Sequence, residues 1–202
     1  MQISDRIGCQ DFPCQDVRHA GYIIPRVDIN PQLVLLMMIS EAAPTDKSDY
    51  YYQGGNSAFE STTLEVFKAA GVGVTEFDQL LPLGIYLTSA VKCGKTGYGV
   101  KAATINECSR LLEKEIALFP NLKVIMLMGD VAIKGINYIA RRAGAGKVIP
   151  SGSTYRIRHG EFQYRGMRIF PSYLQVGPSF GIEKSKRRMI IEDIETALAI
   201  LS

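Results

Sequence analysis

The stretch Leu33–Pro44 reads LVLLMMISEAAP, an apolar run that passes directly into polar and small residues. The apolar part, Leu33–Ile39, predicts a strand that is covered on both faces of its sheet. Three further segments are candidate strands: Gly84–Val91, Lys123–Met128 and, after a polar stretch that could form a hairpin around His159-Gly160, Met167–Phe170. Continuous apolar strands of this kind favour a mainly parallel sheet.

Helix start signals lie between these candidate strands. Ser57-x-x-Glu60 and Thr104-x-x-Glu107 have the capping-box pattern, and the first opens a helix that ends at Ala70-Gly71. Two more helices are expected: Val131–Ala143, capped by Asp130, and the amphipathic segment Glu183–Leu201. Alternating strands and helices predict an α/β domain in three layers, α/β/α, with a central, mainly parallel four-stranded sheet. No linker or repeat divides the chain, so we expect one domain over residues 1–202.

This architecture indicates where a functional site belongs. In open α/β sheets, sites form in the crevice beyond the carboxyl ends of the strands. The segments at those ends are Ser40–Pro44, Ser89–Cys93, Gly129-Asp130 and Pro171–Leu174. We therefore expect the functional residues to cluster in these four segments.

Four cysteines form two short-range pairs that are far apart in the sequence. Cys9 and Cys14 are spaced Cys-x4-Cys, and Cys93 and Cys108 are spaced Cys-x14-Cys. Four thiolates suit a [4Fe–4S] cluster or a structural zinc ion, and the alternatives are two disulfides or unrelated buried thiols. Zinc is less favoured because its structural sites usually have tighter cysteine spacings in both halves. The opening segment Met1–Pro13 has no apolar core of a secretory signal, which favours the cytoplasm, where disulfides are rare.

Composition excludes little else. The chain of 202 residues is 47% hydrophobic and 21% charged, and its longest apolar run is far too short to cross a bilayer, so no membrane partner is expected. A net charge of +3 does not by itself identify a polyanionic partner. The positive charge is concentrated in the C-terminal third, which is either a phosphate-facing surface or an ordinary solvated one.

The cysteines and the four strand-end segments together resemble the uracil-DNA glycosylase superfamily, and in particular its iron–sulfur branch, family 4. Ser40-Glu41-Ala42-Ala43-Pro44 occupies the place of the Gly-Glu-Ala-Pro-Gly motif, and Tyr51-Tyr52-Gln53-Gly54 that of the Pro-Phe-Val-Gly-like turn. Ser89-Ala90-Val91-Lys92-Cys93 is similar to Asn-Val-Val-Lys-Cys, and Cys108 follows at the spacing of that branch. Phe170-Pro171-Ser172-Tyr173-Leu174 takes the position of the His-Pro loop near the C-terminus.

The resemblance implies a uracil-DNA glycosylase-like fold and a hydrolase that removes a deaminated base, uracil or a related one, from DNA in base-excision repair. It also implies that the four cysteines hold a [4Fe–4S] cluster, with zinc as the alternative. The candidate residues fall into four groups: catalytic, Glu41, Asp46 and Ser172; base pocket, Ser40, Ala42, Tyr52, Ser89 and Phe170; DNA-binding, Lys92, Pro171, Tyr173 and Leu174; metal, Cys9, Cys14, Cys93 and Cys108.

Several residues depart from the motifs of the branch. The first cysteine pair is Cys-x4-Cys instead of Cys-x2-Cys, the base-reading Asn is Ser89, and the His of the last loop is Phe170. A serine hydroxyl reads a base edge less selectively than an amide, and loss of one preorganised donor costs about 10²–10³ in rate. An alternative function is therefore a protein of the same fold that binds nucleic acid without excising a base.

Individual assignments also have alternatives. Glu41 is the best candidate for the carboxylate on the sugar side, with Asp46 and Asp49 as competitors that could equally be turn residues. Tyr52 is expected to stack on a base, although the tyrosines of this loop could simply pack it. Lys92 could contact a phosphate, or it could be solvated.

Overall fold

A computed structural model describes residues 1–54, 57–97, 99–176, 180 and 183–201. The strands in the described part are β1 (Val17–Arg18), β2 (Leu36–Ala43), β3 (Ile85–Lys95), β4 (Val124–Met128), β5 (Phe162–Tyr164) and β6 (Met167–Ser172). The helices are α1 (Ala58–Ala69), α2 (Ala102–Ile116), α3 (Asp130–Arg142), the single turn α4 (Thr154–Ile157) and α5 (Lys184–Ala199). In this part of the chain, no helix has the length and apolar character required to span a membrane.

The strands form one sheet in the order β1-β3-β2-β4-β6-β5. Its four central strands are parallel, and they are the four strands that the apolar runs predict. The short edge strands β1 and β5 are antiparallel to their neighbours and are not among the four predicted strands. The sheet therefore has six strands, and its parallel centre confirms the predicted mainly parallel α/β fold.

Two apolar cores lie on opposite faces of the sheet, because successive side chains of a strand point in opposite directions. From β2, Met37 and Ile39 join the core beneath α2 and α3, whereas Leu36 and Met38 join the core beneath α1 and α5. All four of these side chains are fully buried. The predicted three layers, helices on both faces of a central sheet, are thus observed.

The strands that form the site are longer than predicted. Ser40–Ala43 and Ser89–Cys93, expected to follow strands, are still part of β2 and β3. A register shift between Ala42 and Ala43 marks the place where the pairing of β2 with β3 becomes irregular. The end of β3 remains extended because Lys95 and Gly94 pair with β1.

The hairpin before β6 turns at a different place from the predicted one. Its turn residues are Arg165 and Gly166, both with positive φ, as tight antiparallel hairpins require. His159-Gly160 instead follows α4. The hydrogen bonds from the Arg168 guanidinium to the Gly160 and Phe162 carbonyls tie this segment to the hairpin.

Candidate active site

A large groove and a small cavity meet at the carboxyl edge of the sheet. The groove has a volume of about 1550 Å³ and the cavity about 200 Å³, and Glu41 and Leu174 line both. Side chains from the β2 end, the loop after it, the β3 end and α1 line the groove. The small cavity lies toward the start of α3 and α5. The site is therefore at the edge where the fold class places it.

Glu41 lies between these two spaces. Its Oε2 accepts a 3.2 Å hydrogen bond from Lys95 Nζ, and its Oε1 lies 3.5 Å from the backbone nitrogen of Val131 in the first turn of α3. The end of a helix that carries free N–H groups is complementary to a carboxylate. Gly129 permits this approach, because a Cβ there would lie 2.8 Å from Glu41 Cγ and Oε1. The carboxylate is thus held in place and is still 16% exposed to solvent.

Ser89, which takes the place of the base-reading Asn, has its hydroxyl occupied within the protein. The Ser89 Oγ lies 2.9 Å from the Tyr50 hydroxyl and donates a 3.0 Å hydrogen bond to the Val91 carbonyl. Both side chains are fully buried, and burial raises the pKa of Tyr50 far above its usual range. The Tyr50 phenol is therefore neutral, and through its contact with the Ser89 hydroxyl it occupies the space in front of Ser89.

Tyr51 and Tyr52 complete the run of three tyrosines. The Tyr51 hydroxyl accepts a 2.9 Å hydrogen bond from the buried Gln175 amide, and its ring stacks on Phe77. The Tyr52 hydroxyl accepts from the Leu87 backbone nitrogen at 2.9 Å, and its ring stacks on Tyr86. These contacts give Tyr52 a packing role against β3, and its expected stacking on a base stays a prediction.

The last motif is anchored by a buried polar network. The Ser172 hydroxyl donates to Asp193 of α5 at 2.5 Å, and Asp193 forms a 2.7 Å ion pair with Arg158. Burial raises the pKa of Asp193, while Ser172 and Arg158 oppose that shift. Ser172 therefore anchors β6 to α5, and its hydroxyl is not free to replace the donor of the missing His.

The neighbours of Ser172 differ in their accessibility. Phe170 and Pro171 are buried in β6, with the Arg168 guanidinium over the Phe170 ring. This corrects the expectation that Pro171 contacts DNA, because the residue is buried in β6, where it pairs with Leu127 of β4. Tyr173 and Leu174 are half-buried and line the small cavity, so these two remain candidates for DNA contact.

Lys92 is placed differently from the expected phosphate contact. Its side chain is fully buried, and its Nζ lies 2.5 Å from Glu115 Oε2 and 2.6 Å from the Thr88 hydroxyl. The other oxygen of Glu115 accepts from Tyr86 and Thr88. An enclosed and paired ammonium cannot reach a phosphate, so the expected DNA contact of Lys92 is corrected to a structural ion pair between β3 and α2.

The remaining predicted residues lie in or beside the groove. Asp46 is exposed, and its carboxylate accepts hydrogen bonds from the Ser48 backbone and hydroxyl, which lower its pKa. Asp46 therefore has the contacts of a turn residue, which is the alternative to a catalytic role. Ala42 lines the groove, and Ser40 is fully buried with its hydroxyl donating to the Thr88 carbonyl.

The four cysteines line one cavity of about 280 Å³ between the N-terminal loop, β3 and α2. Cys93 and Cys108 are buried and Cys9 and Cys14 are half-buried. Burial, with a contribution from the neighbouring thiols, raises the pKa of Cys93 to about 12. Burial is also the main cause of the raised pKa of Cys108, which is about 11. The longer Cys-x4-Cys loop is accommodated by Phe12, which has φ +44 and packs its ring edge-on against Tyr22.

This arrangement can be compared with the needs of a metal group. In the described residues, no three His, Cys, Asp or Glu side chains converge on the position of one metal ion. Thiolates are ligands of both [4Fe–4S] clusters and structural zinc ions, so the four cysteines around this cavity suit either group by their chemistry.

Three residues at the site were missed in the sequence. Lys95 lies two residues after Cys93 and joins the site only because β3 is longer than its apolar run predicts. Tyr50 belongs to a run of three tyrosines, and such a run does not indicate which ring faces inward. Asp193 is one acidic residue on an amphipathic helix, and nothing in its spacing indicates a partner in β6.

The fold and the site define an α/β protein with a groove at the carboxyl ends of its parallel strands, where the Glu41 carboxylate is paired with Lys95. The family model described as the uracil DNA glycosylase superfamily matches residues 30–181, which are 152 of the 202 residues. The chain therefore belongs to the uracil DNA glycosylase superfamily. The match includes all four parallel strands, Glu41 and the second cysteine pair, and it begins after Cys14. A search of curated proteins finds no match.

Proposed function

We propose that this protein is a DNA glycosylase that hydrolyses the N-glycosidic bond of a deaminated base, uracil or a related base, for base-excision repair. The observation that carries the proposal is the position of Glu41 in a member of this superfamily. Its carboxylate is held at the carboxyl edge of the sheet, where the groove and the small cavity meet. DNA is the substrate that the superfamily implies, and the cytoplasm remains the expected location.

The reaction assigns Glu41 a specific task. Breaking a glycosidic bond places positive charge on the sugar, and a carboxylate close to that carbon stabilises it or orients the attacking water. The enzyme must also take the base out of the stack, at a cost of a few kcal/mol. Tyr173 and Leu174, at the mouth of the small cavity, are the residues we propose to contact the DNA around the vacated position.

The site has few side-chain hydrogen-bond donors for the leaving base in the last motif. Phe170 has no donor for the leaving base, and the Ser172 hydroxyl is engaged by Asp193. Hydrogen-bond donors for the base would therefore come from other groups at the site, such as backbone N–H groups of the surrounding loops or the side chains that line the small cavity. We expect a slower reaction than that of a site with the His donor, by about 10²–10³ for the loss of one such group.

We also propose that the chain belongs to the iron–sulfur branch and that Cys9, Cys14, Cys93 and Cys108 hold a [4Fe–4S] cluster, with zinc as the alternative. The cavity that all four thiols line supports this assignment. Such a cluster would have a structural role and would take no part in breaking the glycosidic bond. Through the four cysteines it would link the N-terminal loop to β3 and α2, beside the site.

The experiment is a base-excision assay with oligonucleotides that carry uracil or hypoxanthine, single-stranded and mispaired, followed by alkaline scission of abasic sites. We expect excision of at least one of these bases, with a rate about 10²–10³-fold lower in Glu41→Gln. Asp46→Asn and Asp49→Asn test the two competing carboxylates, since both line the same groove. Excision that is unaffected by Glu41→Gln would contradict the proposed role of Glu41.

The alternative is a protein that binds nucleic acid without excising a base. The specific observation in its favour is that Tyr50 occupies the space in front of Ser89. No excision of any tested base by the iron-loaded protein, together with salt-sensitive DNA binding, would favour this alternative over the glycosylase.

A further inference from the structure

Lys95 presents an amine inside the proposed active site. Its Nζ lies 3.2 Å from Glu41 Oε2, its side chain is 27% exposed, and it lines the groove. The backbone of Lys95 is held on two sides: by pairing with Val17 of β1, and by the Thr45 hydroxyl, which donates to its carbonyl at 2.8 Å. The amine therefore extends from a fixed strand end and not from a mobile loop.

This placement puts a proton acceptor beside the Lys95 amine. The Glu41 carboxylate lies 3.2 Å from the Lys95 Nζ and can take a proton from it. Loss of that proton frees the nitrogen lone pair, which makes the amine a nucleophile. If Glu41 faces the C1′ carbon of the sugar, an amine in contact with the Glu41 carboxylate can reach that carbon too.

We propose that Lys95 forms an imine with the aldehyde of an abasic site, so that the protein acts on the product of base excision as well as on the damaged base. The inference rests on the proposed function for the position of the sugar beside Glu41. Amines of lysine side chains form such imines with carbonyl groups when they are held in a site that positions both partners. The substrate of this second activity is DNA that carries a ring-opened abasic deoxyribose.

The bonds balance without a further reactant. The Lys95 ammonium passes one proton to the Glu41 carboxylate, and the resulting amine adds to C1′ of the aldehyde. A second proton moves from the nitrogen to the former carbonyl oxygen, and the proton held by Glu41 then completes a water molecule, which leaves. A protonated C1′=Nζ double bond remains. Nothing is oxidised or reduced, and water addition reverses the step and releases the amine.

The experiment uses the full-length protein and a duplex oligonucleotide with a preformed abasic site, so that no base excision is needed. Sodium borohydride reduces an imine to a stable amine and thereby traps a covalent protein–DNA adduct. We expect a borohydride-dependent adduct with the wild-type protein, and peptide mass mapping that places the DNA remnant on Lys95. Lys95→Arg keeps the positive charge but forms no trappable imine, so the adduct should fall to the level seen without borohydride.

Lys47→Arg is the matched control, because Lys47 lines the same groove, is exposed, and should leave the adduct unchanged. Absorbance of the bound iron and circular dichroism check that Lys95→Arg is folded. An adduct that persists in folded Lys95→Arg, or that maps to another lysine, overturns the inference, as does no adduct with the wild-type protein. Trapping on abasic DNA without excision from base-containing DNA would uphold the amine chemistry while the proposed glycosylase function fails. Excision without trapping would be the reverse.

Discussion

At the scale of single residues, the buried pair of Lys92 and Glu115 is the strongest departure from what the sequence indicates. A lysine beside a cysteine in a strand-end motif resembles a surface contact, yet both members of this pair are 0% exposed. Two charges taken out of water are tolerated only because each is paired and hydrogen-bonded. Thr88 and Tyr86 complete that hydrogen bonding around Glu115.

Lys92→Met should therefore lower the free energy of unfolding by about 3–5 kcal/mol, because it leaves the Glu115 carboxylate buried without a partner. The measurement is urea unfolding followed by circular dichroism. Lys92→Met/Glu115→Gln should be more stable than the single variant, since the amide oxygen still accepts from Tyr86 and Thr88. As a control, Lys134→Met removes an exposed pair with Asp130 and should cost no more than about 1 kcal/mol. Equal effects of Lys92→Met and Lys134→Met would refute the argument.

At the scale of elements, Asp16 joins the N-terminal loop to the start of α2. Its carboxylate accepts hydrogen bonds from the Lys101 backbone nitrogen at 2.6 Å and from the Thr104 hydroxyl. Asp16 thus caps a helix from outside it, and two cysteines of the loop are brought toward Cys108 on that helix. The helix and the loop depend on each other for their position.

Asp16→Ala should cost about 0.5–2 kcal/mol of stability, the usual effect of losing a helix cap, and should lower the occupancy of the proposed iron–sulfur cluster. Hydrogen exchange should speed up first in the N-terminal loop and in the first turn of α2. The measurements are iron content and exchange by mass spectrometry. Asp11→Ala is the matched control in the same loop, where the side chain is exposed, and it should change neither quantity. Normal iron content in Asp16→Ala would show that the loop is held by other contacts.

The elements also show which parts of the fold are readable in the sequence. The four apolar runs predict the four parallel strands because burial on both faces leaves a continuous local signal. Ser57 caps α1 as its motif predicts, with its Oγ accepting from the Glu60 nitrogen. Thr104, by contrast, lies inside α2 because the cap is Asp16, 88 residues earlier. The site follows the same rule: Glu41 lies at its predicted strand end, whereas Lys95 and Tyr50 take their places through contacts between distant segments.

At the scale of the whole molecule, the basic C-terminal third is used mainly for internal contacts. Arg142 and Arg165 both pair with Glu113, and Arg158 is buried against Asp193. The groove is electrically mixed: among its described residues are three cations, Arg18, Lys47 and Lys95, and three anions, Glu41, Asp46 and Asp49. Net charge and its distribution along the chain therefore did not predict the mixed charge of the groove, because pairing depends on the fold.

Buried tyrosines should make the folded protein less stable at alkaline pH. Tyr50, Tyr51 and Tyr86 are fully buried, and burial raises the pKa of each phenol above its usual value. In the unfolded chain the same phenols ionise near pH 10, so above that pH the folded state holds more protons than the unfolded state. Stability must then fall as the pH rises, by about 1.4 kcal/mol per pH unit for each phenol and about 4 for the three together.

We therefore expect these phenols to ionise only as the protein unfolds. The absorbance change at 295 nm that belongs to them should coincide with the loss of circular dichroism in an alkaline titration. Tyr50→Phe removes one of the three groups and should reduce the slope of stability against pH by about 1.4 kcal/mol per unit. At neutral pH the same variant should be less stable by about 1 kcal/mol, because the hydrogen bond with Ser89 is lost. Ionisation of all tyrosines while the circular dichroism is intact would mean that the space in front of Ser89 is open to solvent, and the argument that Tyr50 closes it would fail.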